Sequence, residues 1–174
     1  MPVTQYYTAT TLDGFIADEN HSLEWLFRRQ QDRDGPLNYD AFFVGVGALA
    51  MGATTYEWIL DHGSGTWPYE LPCWVFTHRE LPVVADGIEL TSDDVAVVHE
   101  RMRAVAGRRN RWIVGGGDLV GQFAERGLLD EVIVYIAPVT LGAGAPLLPR
   151  RVELRLEELA RNGEFACARY SLVR

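Results

Sequence analysis

Three consecutive glycines, Gly115-Gly116-Gly117, join the apolar run Arg111-Trp-Ile-Val114 to the amphipathic stretch Asp118–Arg126. A strand that runs into glycine and then a helix is half of a βαβ unit, and such units build sheets with helices on their faces. The glycines remove every Cβ from the turn, so a ligand can approach the backbone closely. Free N–H groups at the helix start, through Asp118 and Leu119, together with the positive end of the dipole, favour a phosphate. A ligand-free turn capped by Asp118 would use the same residues, but three glycines in this context point to a diphosphate. The spacing is not the Rossmann fingerprint. That pattern needs a glycine three positions beyond Gly117, where Val120 stands. A dinucleotide held here implies a different fold.

The rest of the chain alternates in the same manner. Strands are predicted over 5–10, 15–17, 48–51, 74–77, 87–90, 111–114 and 131–137, which are short runs rich in β-branched and aromatic residues. Helices are predicted from Ser22 to Arg29, from Tyr39 to Val46, from Thr54 to Leu60 and from Thr91 to Ala106. The first has Leu23, Leu26 and Phe27 on one face. The last carries the stripe Val95, Val98, Met102 and Val105, with Thr91 or Ser92 as its cap. Residues 30–38 read as a loop. Leu154–Glu158 and Phe165–Val173 read as an antiparallel pair turning at Asn162-Gly163. Together these predict one α/β domain spanning 1–174, with a mixed, mostly parallel sheet covered by helices on both faces and closed by an antiparallel hairpin.

Charge narrows the function. Sixteen Lys and Arg stand against 24 Asp and Glu, a net charge of −8, which argues against a grip on a nucleic-acid backbone. Cys73 and Cys167 lie far apart, with no metal-ligand spacing and no disulfide framework around them. No apolar stretch reaches spanning length and no leader is evident, so a cytoplasmic protein is expected.

Three further segments carry chemistry. In Leu49-Ala-Met-Gly52-Ala-Thr-Thr55, a strand meets a glycine and then a helix whose first turn holds the hydroxyls of Thr54 and Thr55. These either donate to a phosphate or, for Thr54, cap the helix. Thr77-His78-Arg79 follows a strand end with a hydroxyl, an imidazole and a guanidinium, where open α/β sheets collect ligands. Asp13-Gly14 is a turn pair.

Thr11-Leu-Asp-Gly-Phe-Ile-Ala17, Met51-Gly-x-x-Thr55-Tyr-Glu57, Val75-Phe-Thr-His-Arg79, Ile113-Val-Gly-Gly-Gly117 and Asp130-Glu-Val…Ala137-Pro-Val…Leu141-Gly142 occur in an order that resembles the RibD C-terminal, dihydrofolate-reductase-like family. The resemblance spans nearly the whole chain. It implies the three-layer fold of that family, NADPH as hydride donor, a pteridine-like or pyrimidine-like substrate, and a homodimer. By the same resemblance, Gly115, Gly116, Gly117, Asp118 and Leu119 would face the cofactor pyrophosphate, with Gly52, Thr54 and Thr55 opposite. Thr77, His78 and Arg79 would lie by the adenosine ribose, and Ile16 and Ala17 by the nicotinamide. Trp25, Tyr39 and Tyr135 are candidate walls for a planar substrate. Asp13 and Glu24 are candidates for assisting a proton, against plainer roles as a turn residue and a solvated helix position. Two departures stand out. Ala53 occupies a position where the family often has Arg. The first helix places no carboxylate in register, so dihydrofolate is not expected to be an efficient substrate. The riboflavin-pathway reductase and a catalytically silent nucleotide-binding module are the alternatives.

Overall fold

The computed structural model describes all of residues 1–174. The chain runs β1 (Thr4–Thr11), β2 (Phe15–Ala17), α1 (Glu24–Phe27), α2 (Tyr39–Val44), β3 (Val46–Gly52), α3 (Ala53–His62), β4 (Cys73–Phe76) and β5 (Ile88–Thr91). It continues α4 (Val95–Ala106), β6 (Asn110–Gly115), α5 (Gly117–Glu125), β7 (Glu131–Ala137), β8 (Ala145–Pro146), β9 (Leu154–Asn162) and β10 (Phe165–Leu172). Eight strands form one sheet in the order β5-β4-β3-β6-β1-β7-β10-β9. The first six are mutually parallel, and β10 and β9 return antiparallel. The carboxyl ends of all six parallel strands therefore lie along one edge. β2 and β8 form a separate pair beside that edge.

Helices cover both faces, which gives three layers. Strand β3 is buried in six of its seven positions, which is why its sequence is an unbroken apolar run rather than an alternation. Ala48 and Ala50 meet Val98 and Met102 of α4, in a core that Ile113, Val134 and Phe123 of α5 extend. Leu49 and Met51 face the other way, with Tyr56 of α3, Val75 and Trp112. A third cluster sets Trp25 of α1 against Tyr135, Phe165 and Cys167. Side chains as buried as Met51, Met102 or Phe123 each contribute about 1.5–3 kcal/mol.

Several local expectations are corrected. α4 starts at Val95, not Thr91, and its cap is Asp94, whose carboxylate accepts from the Ala96 amide at 2.8 Å. Residues ahead of it belong to β5, which holds Thr91. The α4 stripe ends on Ala106, because Val105 is exposed. α1 is a single turn. Trp25 takes its buried position while Phe27 points outward. The hairpin turn is Gly163-Glu164, since Asn162 still pairs with Phe165. Asn162 is buried instead. It accepts from the Asp32 amide at 2.7 Å and donates to the Asp32 and Pro36 carbonyls, which pins the 30–38 loop to the hairpin.

Candidate active site

At the carboxyl edge of the sheet, β3 and β6 end side by side, each running from glycine directly into a helix. A Cβ built on Gly52 would stand 3.8 Å from both the Gly115 oxygen and the Gly116 nitrogen. One on Gly115 would stand 3.4 Å from the Thr55 hydroxyl, and one on Gly116 3.9 Å from Ile16 Cδ1. Ile16, Gly52, Thr55, Gly115 and Gly116, up to a hundred residues apart in sequence, thus line one small space. The Gly115–Gly116 peptide is cis.

The helix starts at this space differ from those of α2 and α4. α2 and α4 are capped by the side chains of Asn38 and Asp94. α3 and α5 begin on Gly52 and Gly116, with no side-chain cap. Their leading N–H groups lack the partner that a cap supplies, and two positive dipole ends converge there. The residues present fit an anionic diphosphate, since Gly52 and Gly116 leave open the volume that a Cβ would fill. This corrects two expectations. Thr54 does not cap α3, and it lies exposed in the first turn. Asp118 does not cap α5 either. Its carboxylate accepts from Arg150 at 2.8 Å and Gln122 at 3.0 Å, and the Arg150 contact holds its pKa below the usual carboxylate range.

The three glycines have different duties. Gly116 has room above it. Gly117 does not, because a Cβ there would sit 2.6 Å from the Leu147 carbonyl oxygen and closer still to that of Pro146. The Leu147 carbonyl also accepts from the buried Tyr6 hydroxyl at 2.9 Å. Gly117 therefore lets the end of β8 and the residue after it close against the helix start. Leu119 sends its side chain into the core, so only its backbone faces the turn.

Beyond β4, Thr77 accepts the Arg79 amide at 3.0 Å, and His78 and Arg79 are exposed. The Arg79 guanidinium is paired with Glu57 of α3. Sequence reasoning missed this partner, although Glu57 lies one helical turn beyond Ala53 on the adjoining element.

Asp13 does not stand free. It accepts the Thr11 hydroxyl at 2.6 Å and the amides of Leu141 and Gly142 at 3.1 and 2.7 Å. The Thr11 bond, then those amides, hold its carboxyl below the ordinary range. It ties the β1–β2 turn to the loop after β7. Ala17 of β2 pairs with Ala145. Glu24 is exposed and lies 3.8 Å from Arg28 on its own helix. Of the proposed walls, Trp25 and Tyr135 are core residues, and the Tyr135 hydroxyl donates to Pro36. Tyr39 belongs to an aromatic cluster with Tyr7, Phe43 and Trp112. The aromatics that connect α1 to α3 are Phe27 and Trp58, with ring centroids 6.1 Å apart. The Trp58 indole N–H is buried without a partner. The available signal was spacing, because Trp58 is three residues beyond Thr55 and on the same side of α3.

No helix is long and apolar enough to cross a membrane. A family model described as the RibD C-terminal domain matches residues 69–164. The uncharacterized protein YwjB of Bacillus subtilis is 30% identical over 171 residues, covering 96% of each chain. The riboflavin biosynthesis protein RibD of Mycobacterium tuberculosis is 26% identical over 149 residues, and the match takes in 44% of its length. Among solved structures, a Shewanella sp. PV-4 protein superposes over 99% of both chains with a TM-score of 0.85 at 24% identity. A pyrimidine reductase-like protein of Corynebacterium diphtheriae superposes over 99% of this chain and 92% of its own, with a TM-score of 0.66 at 15% identity. The family model, which matches more than half of the chain, establishes that the chain belongs to the RibD C-terminal domain family.

Proposed function

We propose that this chain is an NADPH-dependent reductase of a small, flat heterocycle of the pyrimidine or pteridine type. The observation that carries the reading is the paired, uncapped helix starts at Gly52 and Gly116, set at one edge of the sheet beside Ile16. NADPH, when bound, supplies the hydride. The amides at Gly116–Leu119 and the hydroxyls of Thr54 and Thr55 hold the diphosphate. Ile16 and Ala17 border the ring that carries the hydride and keep water from it. Phe27 and Trp58 wall the substrate, and the free indole N–H offers one donor to a ring carbonyl or nitrogen. Asp13, already accepting three hydrogen bonds, fixes the loops around this space, and the proton comes from solvent or from the substrate's own groups.

The experiment is a titration with NADPH, followed by cofactor oxidation on a panel of pyrimidines and pteridines. Binding with turnover of at least one heterocycle is expected. Binding with no turnover on any would favour a silent nucleotide-binding module. Dihydrofolate should be turned over poorly, because Glu24 is solvated and no other carboxylate lies on α1. A turnover near the typical enzyme value of about 10 per second would contradict this. The second reading is reduction of 5-amino-6-(5-phosphoribosylamino)uracil, the reaction for which a Thermotoga maritima structural neighbour is named. That compound belongs in the panel.

We further propose that two copies associate through β9. Leu154, Leu156 and Leu159 are exposed and pair across the sheet with Leu172, Tyr170 and Ala168. They therefore extend, past the helices, the same face that α5 covers. Sedimentation should show a dimer in wild type and a monomer in Leu156→Glu. An unchanged mass in the variant overturns this.

A further inference from the structure

At the opposite edge of the sheet, where the parallel strands begin, a cleft of about 600 Å3 opens. His99, Arg103, Arg111, Asp130 and Arg174 line it, with Glu100 at its rim. In a chain of net charge −8, this is a local concentration of guanidinium groups. Two of them already have carboxylate partners. Glu100 pairs with Arg103 at 2.9 Å, and Asp130 pairs with Arg174. Arg111 has none. It is only 6% exposed, and its hydrogen bonds go to the Thr4 hydroxyl at 3.2 Å and the Pro2 carbonyl at 3.4 Å. Both acceptors are neutral. The Asp130 and Glu100 carboxylates favour its charge only from beyond ion-pair contact, and a buried guanidinium that touches no carboxylate is costly for a fold to keep.

His99 supplies the second observation. The Thr4 hydroxyl accepts from Arg111 and also lies 2.8 Å from His99 Nε2. Burial, then the Arg111 charge, disfavours the protonated ring. Nδ1 of the same ring is buried with no hydrogen-bond partner. Through one shared hydroxyl, the wall of the cleft joins a guanidinium that touches no carboxylate to an imidazole with an unpartnered nitrogen.

We propose that this cleft binds a small phosphate-type oxyanion, with Arg111 as its counter-charge, His99 beside it, and Arg103 and Arg174 closing from the rim. The donors come from α4, β6 and the segment after β10. Convergence from several directions suits a tetrahedral anion better than a planar carboxylate, and guanidinium forks match phosphate oxygens in pairs. The space exceeds that of a lone phosphate, so a phosphate monoester fits as well. The site is separate from the glycine turn. Arg111 and Gly115 lie at opposite ends of β6, roughly 13 Å apart along an extended strand.

The test is a titration of the whole chain with inorganic phosphate, and separately with glycerol 3-phosphate, at fixed ionic strength. It is read by the imidazole nitrogen resonances of His99, which His99→Gln identifies by removing them. A saturable shift is expected. Arg111→Gln should weaken it about tenfold, the loss of one charge-assisted contact. Arg103→Gln and Arg174→Gln should each weaken it about threefold. Tighter binding of the monoester would identify an organic phosphate, and tighter binding of the inorganic ion a free one. If Arg111→Gln does not fold, the two rim variants decide. Unaltered affinity in both, a response no larger than that to chloride, or shifts confined to the Gly115–Gly117 amides would overturn the proposal.

Discussion

The two ends of the parallel strands are built on opposite principles. At the carboxyl end, the donors are backbone amides, presented by glycines that keep side chains out of the way. At the amino end, the donors are long side chains gathered from α4, β6 and the chain's last residue. A backbone site is local, because its geometry follows from a few consecutive residues and a helix start. A side-chain site is distributed, because Thr4, His99, Arg111, Asp130 and Arg174 meet only after the sheet has formed. The first tolerates change in most neighbouring side chains but not at the glycines. The second should show the reverse.

The largest expected effect separates the glycines themselves. Gly117→Ala forces a Cβ against two backbone carbonyls that cannot swing aside. It should destabilise the fold by roughly 3 kcal/mol, the upper range for overpacking, as read by urea unfolding without ligands. Gly116→Ala meets only ordinary contact with Ile16. It should unfold like wild type yet bind NADPH about tenfold more weakly, on the order of 1.4 kcal/mol. Equal stability losses in both variants would break the distinction between a packing glycine and a ligand-facing one.

The next effect is smaller and tests whether any side chain matters at the backbone-built end. With Ala53 where a family Arg often stands, Arg79 is the cation available for a 2′-phosphate, and it is already paired with Glu57. Both groups are substantially exposed, 60% and 40%, so screening reduces the pair's worth. Arg79→Ala should weaken NADPH about fivefold, near 1 kcal/mol, and leave NADH unchanged. Glu57→Gln should strengthen NADPH by about threefold, since the phosphate no longer competes with a carboxylate. Dissociation constants for both cofactors at fixed salt check this. An NADPH preference indifferent to both changes would leave the carboxyl end wholly backbone-made.

The smallest effect concerns Asp13. Its folded pKa lies below the ordinary carboxylate value of 3.8. The stability it adds is therefore present above that value and is lost as pH falls through the folded pKa. Asp13→Asn should lower the urea midpoint at pH 7, and the difference between the two proteins should shrink as pH falls below 3.8. A constant difference across that range would show that the carboxylate's charge is irrelevant to the loop it ties.

Legibility followed the same division. The sheet, its parallel core and its closing hairpin could be read from apolar runs and glycine punctuation, and so could the glycine turns, because each signal lies within about ten residues. The planar-substrate walls are harder to place from sequence, because an aromatic residue looks the same in a core and on a surface. Trp25 and Tyr135 fill the interior, while Phe27 is exposed and packs 6.1 Å from Trp58. The α4 cap was placed too early because Thr91 and Ser92 are good caps in isolation, and only pairing of Thr91 with Phe76 commits it to a strand. Glu57 as a partner of Arg79, and Arg111 without one, depend on contacts 22 and 107 residues apart. No local pattern announces them.

The order of the strands also bears on how the molecule comes into being. Strand β1 lies fifth of eight in the sheet, between two neighbours more than a hundred residues downstream. It cannot complete its pairing until β7 has been synthesised. Closing such long loops is slow, and an unpaired apolar strand invites wrong partners meanwhile. The β3–α3–β4 unit, whose strands are close in sequence, can form first. Newly made chains should therefore pass through a stage in which the amino terminus is open to proteases and to chaperones, and slower synthesis between residues 60 and 110 should prolong it.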